Sequence, residues 1–320
     1  MRIGINPEKI KKTKISYKKH RVIIPVYIPN SNEKYFDNLF SVFKISINSL
    51  IQTIQHNDTN ITIINNDCKK EVTDFIDDLI NENKIDKHVK LSLNYGKVYT
   101  ILSEVKASYE RLITIADADV FYYSGWLENT IEVFNNFDRA GVVTPLPMPQ
   151  LAFYANSSLF FNKIFKIKKG KIIQDKDLQL FEKSINSKIL IKKNNWYKNQ
   201  LFLEKNEKQV CVGAGHFIAT YRKDVLDKIK VERPVYVFED GAESFHLDHP
   251  IDKLGYYRLS TVKSFVYHLG NTIPKWVEYY NFSEVKFVNI TNINNKFSKT
   301  YFPFKIKETI TKIYRKFTII

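Results

Sequence analysis

The stretch Leu112-Ile-Thr-Ile-Ala-Asp-Ala-Asp119 decides the fold of this 320-residue chain. Its apolar and β-branched first half predicts a buried strand, which runs directly into two aspartates separated by one alanine. Two carboxylates held this close repel each other, and a hard divalent cation such as Mg²⁺ or Mn²⁺ removes that cost. The alternative is an ordinary loop in which the aspartates cap the next helix.

Strand and helix patterns alternate on both sides of this stretch. Such alternation is typical of an α/β fold with a mostly parallel sheet and helices on both faces, in which ligands bind beyond the carboxyl ends of the strands. The polar residues that end the apolar runs are therefore the candidates for chemistry. The predicted strands cover residues 21–27, 61–64, 89–93, 112–116, 141–144 and 264–268, and the predicted helices cover 39–54, 72–80, 98–112, 126–137 and 223–229.

The composition is that of an ordinary globular protein, with 44% hydrophobic and 26% charged residues. It excludes collagen, a disordered tail and a small disulfide scaffold. Cys68 and Cys211 form no C-x-x-C pair, which favours two reduced thiols in a cytosol. We also predict no signal peptide at the start and no membrane-spanning segment.

The net charge of +15 is unevenly distributed. Residues 1–21 carry +7, residues 296–320 carry +6 and the Lys-rich stretch 163–208 carries +8, so the remainder is acidic. Charge at both ends and in one insertion suits an anionic membrane face or a polyanionic acceptor better than nucleic acid, which needs one continuous basic surface.

This distribution predicts three regions. A basic arm covers residues 1–20, a catalytic domain covers 21–295 with an insertion at 163–208, and a basic helix covers 296–320. That helix has the composition of a surface-lying amphipathic helix. Its apolar residues at helical spacing are Ile306, Ile310, Ile313, Tyr314 and Phe317.

The order of the polar elements over residues 20–272 resembles glycosyltransferases of the A-type fold, in particular the large inverting family that uses nucleotide-activated sugars. The resemblance implies a Rossmann-like, mostly parallel sheet and transfer of a sugar from a nucleoside-diphosphate sugar, most simply a UDP-sugar. It implies Mn²⁺ or Mg²⁺ held by Asp119 and His268 with Asp117 nearby. The implied donor-binding residues are Pro25, Tyr27, Asp67, Lys97, Asp117, Ala118 and Asp119, and the implied acceptor-side residues are Trp126, Gly213, Ala214, Gly215 and Glu239.

In this resemblance Asp240 is the base that takes the proton of the acceptor hydroxyl, which gives inversion at the anomeric carbon. The spacing from Glu239 to the next comparable glycine, Gly255, is longer than is common in the family. Glu243 and Asp248 therefore remain alternative bases.

The implied acceptor is a saccharide or glycolipid of a bacterial surface polysaccharide. The protein would then act in the cytoplasm, either free or peripherally on the inner face of the cytoplasmic membrane.

Two other functions fit parts of the sequence. The D-A-D-V segment also resembles the nucleophile motif of haloacid-dehalogenase-type phosphatases, although that motif usually opens the domain. A catalytically inactive, membrane-associated binding protein of the same fold would also explain the basic tail. The presence of Asp117, Asp119, Asp240 and His268 together argues against an inactive site.

Overall fold

The computed structural model describes residues 3–187, 195–286, 289–290 and 302–318 of the chain. The first two residues of the basic arm, part of the Lys-rich stretch and the start of the C-terminal region lie outside these ranges. The described strands are β1 (His20–Val26), β2 (Thr59–Asn66), β3 (Lys87–Leu91), β4 (Leu112–Ala116), β5 (Val120–Tyr122), β6 (Ala140–Thr144), β7 (Lys168–Gly170), β8 (Gln200–Lys205), β9 (Lys208–Val212), β10 (Ile218–Arg222), β11 (Tyr257–Ser260) and β12 (Val266–His268).

The described helices flank the sheet or follow its strands. The longer helices have apolar residues at helical spacing and bury one face; α3, for example, buries Val72, Ile76 and Leu79. The helices are α1 (Glu8–Lys11), α2 (Leu39–Gln52), α3 (Lys70–Asn81), α4 (Lys97–Lys106), α5 (Trp126–Asn136), α6 (Ser157–Lys163), α7 (Asp175–Ser184), α8 (Lys223–Leu226), α9 (His249–Lys253) and α10 (Phe304–Thr318).

Ten of the described strands form one sheet in the order β3-β2-β1-β4-β10-β6-β11-β9-β8-β7. Strands β1 to β4 are parallel, and β6 and β11 run in the same direction. Strand β10 lies antiparallel between β4 and β6. The mostly parallel α/β sheet predicted from the sequence is therefore confirmed.

The antiparallel strand β10 brings a distant loop to the paired aspartates. Ile218 lies opposite Ala116, and the N–H of Asp117 donates to the carbonyl of Phe217 at 2.8 Å. Residues 213–217 thus lie beside the carboxyl end of β4.

A separate two-stranded sheet completes this edge. Strand β12 pairs antiparallel with β5, with His268 opposite Val120. The N–H of Leu269 donates to the carbonyl of Asp119 at 2.8 Å. This pairing places His268 next to Asp119, although the two residues are far apart in the sequence.

The described part of the Lys-rich stretch does not stand apart from the domain. Strands β7 and β8 extend the edge of the main sheet through β9, and Leu201 and Leu203 join the principal core. Lys168, Lys169, Lys205 and Lys208 are therefore carried on the strands at this edge of the sheet.

Helix α10 lies within the region 296–320 for which a basic helix was predicted, and residues 296–301 and 319–320 of that region lie outside the described residues. It packs on α6, with the ring of Tyr314 centred 5.2 Å from that of Phe160. None of the helices among the described residues is both long enough and apolar enough to cross a membrane.

Candidate active site

A cleft of about 820 Å³ opens at the carboxyl ends of β1, β2 and β4. Pro25 lies near the end of β1, Tyr27 follows this strand and residues 117–119 follow β4, so the sheet edge provides one side of the cleft. Residues 94–99 at the start of α4 provide another side. A further side is the loop 232–246, whose last residues turn into a π-helix (Ser244–Asp248). The cleft is therefore where the alternation of strands and helices predicts a ligand site.

Asp119 and His268 form a close pair beside this cleft. The Nε2 atom of His268 lies 3.3 Å from Oδ2 of Asp119. Burial raises the pKa of Asp119 to about 6; the His268 ring opposes this rise and the Asp117 carboxylate adds to it. The carboxylate is thus held in an environment that favours either protonation or a bound cation.

Each member of the pair also has a buried polar atom that lacks a hydrogen-bond partner among the described residues. These atoms are Oδ1 of Asp119 and Nδ1 of His268. Carboxylate oxygen and imidazole nitrogen are both ligands for Mn²⁺, so the chemistry of the donors fits such a cation. Within the described ranges, however, no group of three or more His, Cys, Asp and Glu side chains could hold a metal ion.

Asp117, the other aspartate of the pair, contacts Lys97. The Nζ atom of Lys97 lies 2.5 Å from Oδ1 of Asp117 and 3.1 Å from Oε1 of Glu243. Burial disfavours the charged amine, but the two carboxylates outweigh burial and raise the pKa of Lys97 above its ordinary value. Lys97 is therefore a fixed cation that joins α4 to β4 and to the loop that carries Glu243.

Glu243 is ionised by the same contact. Burial raises the pKa of this carboxyl, but Lys97 outweighs burial and holds the pKa of Glu243 below its usual value. Glu243 lines the cleft. The sequence indicated this residue only as an alternative base.

A rigid turn positions Lys97. The side-chain amide of Asn66 donates to Oδ1 of Asn94 at 2.6 Å, and Oδ1 of Asn94 also accepts from the N–H of Gly96 at 2.9 Å. Gly96 has a φ of +77°, and a Cβ atom there would lie 2.6 Å from the carbonyl oxygen of Val237. The glycine is therefore required both by the turn and by the close approach of the loop 232–246.

The loop 232–246 presents apolar side chains at the cleft. Val235, Tyr236, Val237 and Phe238 are exposed to solvent although they lie together in sequence. Tyr35 is likewise exposed and lines the cleft. Sequence reasoning missed these residues because an apolar run without strand or helix spacing does not reveal which cavity it borders.

An ion pair behind the cleft fixes one of its sides. The carboxylate of Asp248 and the guanidinium of Arg258 are in direct contact, and both side chains are 0% exposed. Tyr154 donates its hydroxyl to Asp248 Oδ2 at 2.9 Å, and Nδ1 of His216 lies 3.6 Å from the same oxygen. Asp248 is thus enclosed by its partners.

Several residues expected to contact the acceptor instead belong to the core. Trp126 is fully buried and donates its indole N–H to Thr53 Oγ1 at 3.1 Å. Gly213, Ala214 and Gly215 are also buried, so none of the four side chains or glycines is exposed at the cleft. At Gly213 a Cβ atom would lie 2.3 Å from the carbonyl oxygen of Met148, which explains the glycine by packing.

The remaining expected residues divide between the cleft and its surroundings. Asp67 is exposed with a φ of +68° and does not line the cleft, whereas its neighbour Asn66 does. Asp240 is exposed next to Glu239, which lines the cleft. The expected residues that line the cleft are Pro25, Tyr27, Lys97, Asp117, Ala118, Asp119 and Glu239.

The sequence model of Glycosyl transferase family 2 matches residues 22–230. Because the match covers more than half of the chain, the protein belongs to this family. The match confirms the resemblance drawn from the motifs, and it favours that resemblance over the one to dehalogenase-type phosphatases.

A comparison with curated proteins found no match. One similar solved structure is the mannosyltransferase PcManGT from Pyrobaculum calidifontis in complex with GDP-Man and Mn²⁺. The two sequences are 11% identical, the match covers 78% of this chain and 55% of that chain, and the TM-score is 0.44. Another is S. aureus TarS 1-349 in complex with UDP-GlcNAc, with 13% identity, 80% and 62% covered, and a TM-score of 0.43. The chain spans less than two thirds of the length of either protein.

Proposed function

We propose that the protein transfers a sugar from a nucleoside-diphosphate sugar, most simply a UDP-sugar, to a hydroxyl group of a saccharide or glycolipid, with inversion at the anomeric carbon. The observation that carries this proposal is the pairing of Asp119 with His268 beside the cleft at the carboxyl end of β4. Membership of the transferase family supports the class of reaction.

Asp119 and His268 would hold a Mn²⁺ or Mg²⁺ ion, with Asp117 close by. When bound, the ion would neutralise the negative charge that develops on the departing diphosphate. Two protein ligands leave room for phosphate oxygens and water, which is the usual arrangement for these cations. Lys97 restrains Asp117 and adds a permanent positive charge to the same side of the cleft.

Asp240 is our first candidate for the base because it adjoins Glu239 at the cleft. Glu243 is the second candidate, since its ionised carboxylate already faces the cleft. Asp248 is the least suited of the three, because its carboxylate is buried against Arg258.

The exposed apolar side chains of the loop 232–246 would cover the bound substrates. Excluding water from the cleft would limit hydrolysis of the donor and strengthen the electrostatic contacts to the diphosphate. The acceptor that we propose is part of a surface polysaccharide or its lipid-linked precursor, used at the anionic inner face of the cytoplasmic membrane.

The direct test is a donor screen with saccharide acceptors and Mn²⁺, in which released nucleoside diphosphate and the anomeric configuration of the product are measured. Asp240→Asn and Glu243→Gln should separate the two candidate bases, because only loss of the base abolishes turnover while donor binding persists. Donor binding without transfer in every acceptor reaction would instead favour the inactive binding protein. Retention of the anomeric configuration would contradict the mechanism.

A further inference from the structure

Helix α10 is anchored to the domain by a mainly polar and aromatic face. Lys307 and Thr311 are buried, and Nζ of Lys307 donates to Ser158 Oγ at 3.3 Å. Tyr314 packs on Phe160 of α6. These contacts fix the rotation of the helix and therefore decide which residues point away from the domain.

The apolar residues left outside form a stripe. Ile306, Ile313 and Phe317 are 42%, 51% and 80% exposed. Their spacing of seven and four residues places them on one side of an α-helix. A stripe of this kind on an otherwise polar surface is a site for an apolar partner.

Three lysines form a second stripe next to the first. Lys305, Lys312 and Lys316 are exposed and have the same spacing, one residue earlier in the chain. The outward surface of α10 thus combines apolar side chains with a row of positive charges. This combination is typical of a surface that binds a membrane interface, where the apolar side chains are buried among the lipids. A surface that binds nucleic acid relies mainly on polar contacts to phosphates and bases, which exposed isoleucines do not provide.

The turn between α6 and β7 adds to this surface. Its Phe165 is 99% exposed between Lys163 and Lys166. Both elements that the turn connects contact α10, since α6 packs on the helix and Nζ of Lys169 in β7 donates to the carbonyl of Thr318 at 2.9 Å. Burial, followed by the charges of Lys166 and Arg139, lowers the pKa of Lys163, which indicates a crowded positive patch.

We propose that these residues form a single docking face for an anionic lipid bilayer. In this arrangement Phe165, Ile313 and Phe317 enter the interfacial region of the bilayer, while the lysines contact acidic headgroups. The inference deepens the proposed function by naming the surface that would bring the cleft to a membrane-bound acceptor. Charge complementarity and exposed apolar area together favour the bilayer over a soluble polyanion.

The experiment measures cosedimentation of the full chain with vesicles of phosphatidylcholine alone and of phosphatidylcholine with 30 mol% phosphatidylglycerol. We expect binding only to the anionic vesicles, weakened by salt but not abolished by millimolar inorganic phosphate. Lys312→Gln with Lys316→Gln should weaken binding about tenfold or more, since each lysine near an acidic surface contributes roughly fivefold. Lys90→Gln with Lys275→Gln, exposed elsewhere, is the matched control and should leave binding within about twofold.

The apolar part is tested separately with Phe317→Ser and with Phe165→Ser, whose side chains contribute little to the folded core. Each should weaken vesicle binding several-fold while the melting temperature and circular dichroism stay unchanged. The proposal would be overturned if the protein bound neutral vesicles as well as anionic ones. It would also be overturned if the control lysine variant lost as much binding as the Lys312 and Lys316 variant, or if both serine variants bound fully. Transfer to a soluble saccharide acceptor should be unchanged in all these variants, so failure of the docking face is distinguishable from failure of the proposed reaction.

Discussion

Replacing Asp248 by Asn tests whether this residue supports the site or performs its chemistry. The change removes the negative charge that faces Arg258, and both side chains are 0% exposed. Removing one partner of a buried ion pair costs about 3–5 kcal/mol, because the other charge stays buried without compensation. Asn keeps an oxygen that can accept from Arg258, so we expect the lower end, about 3 kcal/mol.

The assay is equilibrium unfolding in urea, followed by the fluorescence of Trp126 and Trp196, which are both buried. Asp74→Asn is the matched control, because its ion pair with Lys70 is exposed to solvent and should contribute little to stability. The melting temperature should fall by roughly 6 °C in the Asp248 variant, at about 2 °C per kcal/mol for a large domain.

The pH dependence has a defined sign. Burial opposes ionisation of Asp248, but Arg258 outweighs burial and holds the pKa of this carboxyl below its ordinary value. The contribution of the charge is therefore fully present above about pH 4, the ordinary value, and is lost as pH falls through the lower folded value. The difference in unfolding free energy between wild type and variant should shrink in stronger acid. It should also decline as pH rises above about 6.5, because Asp248 raises the pKa of His216 and this contribution is lost when His216 deprotonates.

A loss no larger than that of the Asp74 control would refute the interpretation of Asp248 as an enclosed structural anion. Complete loss of turnover in a variant that is still folded and still binds donor would instead identify Asp248 as the base.

Three further changes test other parts of the structure. Lys97→Met removes the cation between Asp117 and Glu243, so the affinity for the sugar donor, measured by calorimetry, should fall at least tenfold; unchanged affinity would contradict a role in donor binding. Gly96→Ala should lower the unfolding free energy by about 1–3 kcal/mol more than the control Gly241→Ala. Gly241 has a similar positive φ, but a Cβ atom added there would have no other atom within 4 Å. Equal losses in the two variants would show that contact with Val237 is unimportant. Burial lowers the pKa of His20 to about 3, so below pH 6.5 the unfolded state binds a proton that the folded state does not. This difference should cost the wild type about 1.4 kcal/mol of unfolding free energy per pH unit between these two pKa values. In His20→Gln the unfolding free energy should therefore fall less steeply in acid.

The first half of the fold could be predicted closely from the sequence. Apolar runs and helical periodicity located β1, β2, β4 and the helices between them, because each of these elements contributes a regular face to one core. Periodicity along the chain does not reveal which distant strands pair, so the position of β10 between β4 and β6 could not be predicted. Helix α4 ends at Lys106, earlier than predicted, because the periodic residues after it belong to the connection into β4.

The site was predicted less completely because burial is decided by tertiary packing. Asp119 and His268 were paired only through the resemblance to the family, and in the structure the antiparallel pairing of β12 with β5 places them 3.3 Å apart. Trp126 and Gly213 were assigned to the acceptor side because the segments that contain them resemble motifs of the family, whereas in the structure each has a packing role. The contact of Lys97 with Glu243 joins residues far apart in the chain, and no spacing rule could have shown it.

The most direct test of the proposed function is the Mn²⁺-dependent thermal stabilisation of the protein by nucleoside diphosphates and their sugars. At a ligand concentration one hundred times its dissociation constant, binding to the folded state contributes about 2.7 kcal/mol, which corresponds to a rise of roughly 5 °C. We predict this rise for wild type with metal and nucleotide together, and its loss in Asp119→Asn and in His268→Ala. No rise with any nucleoside diphosphate, or an equal rise without metal and in both variants, would contradict the central claim.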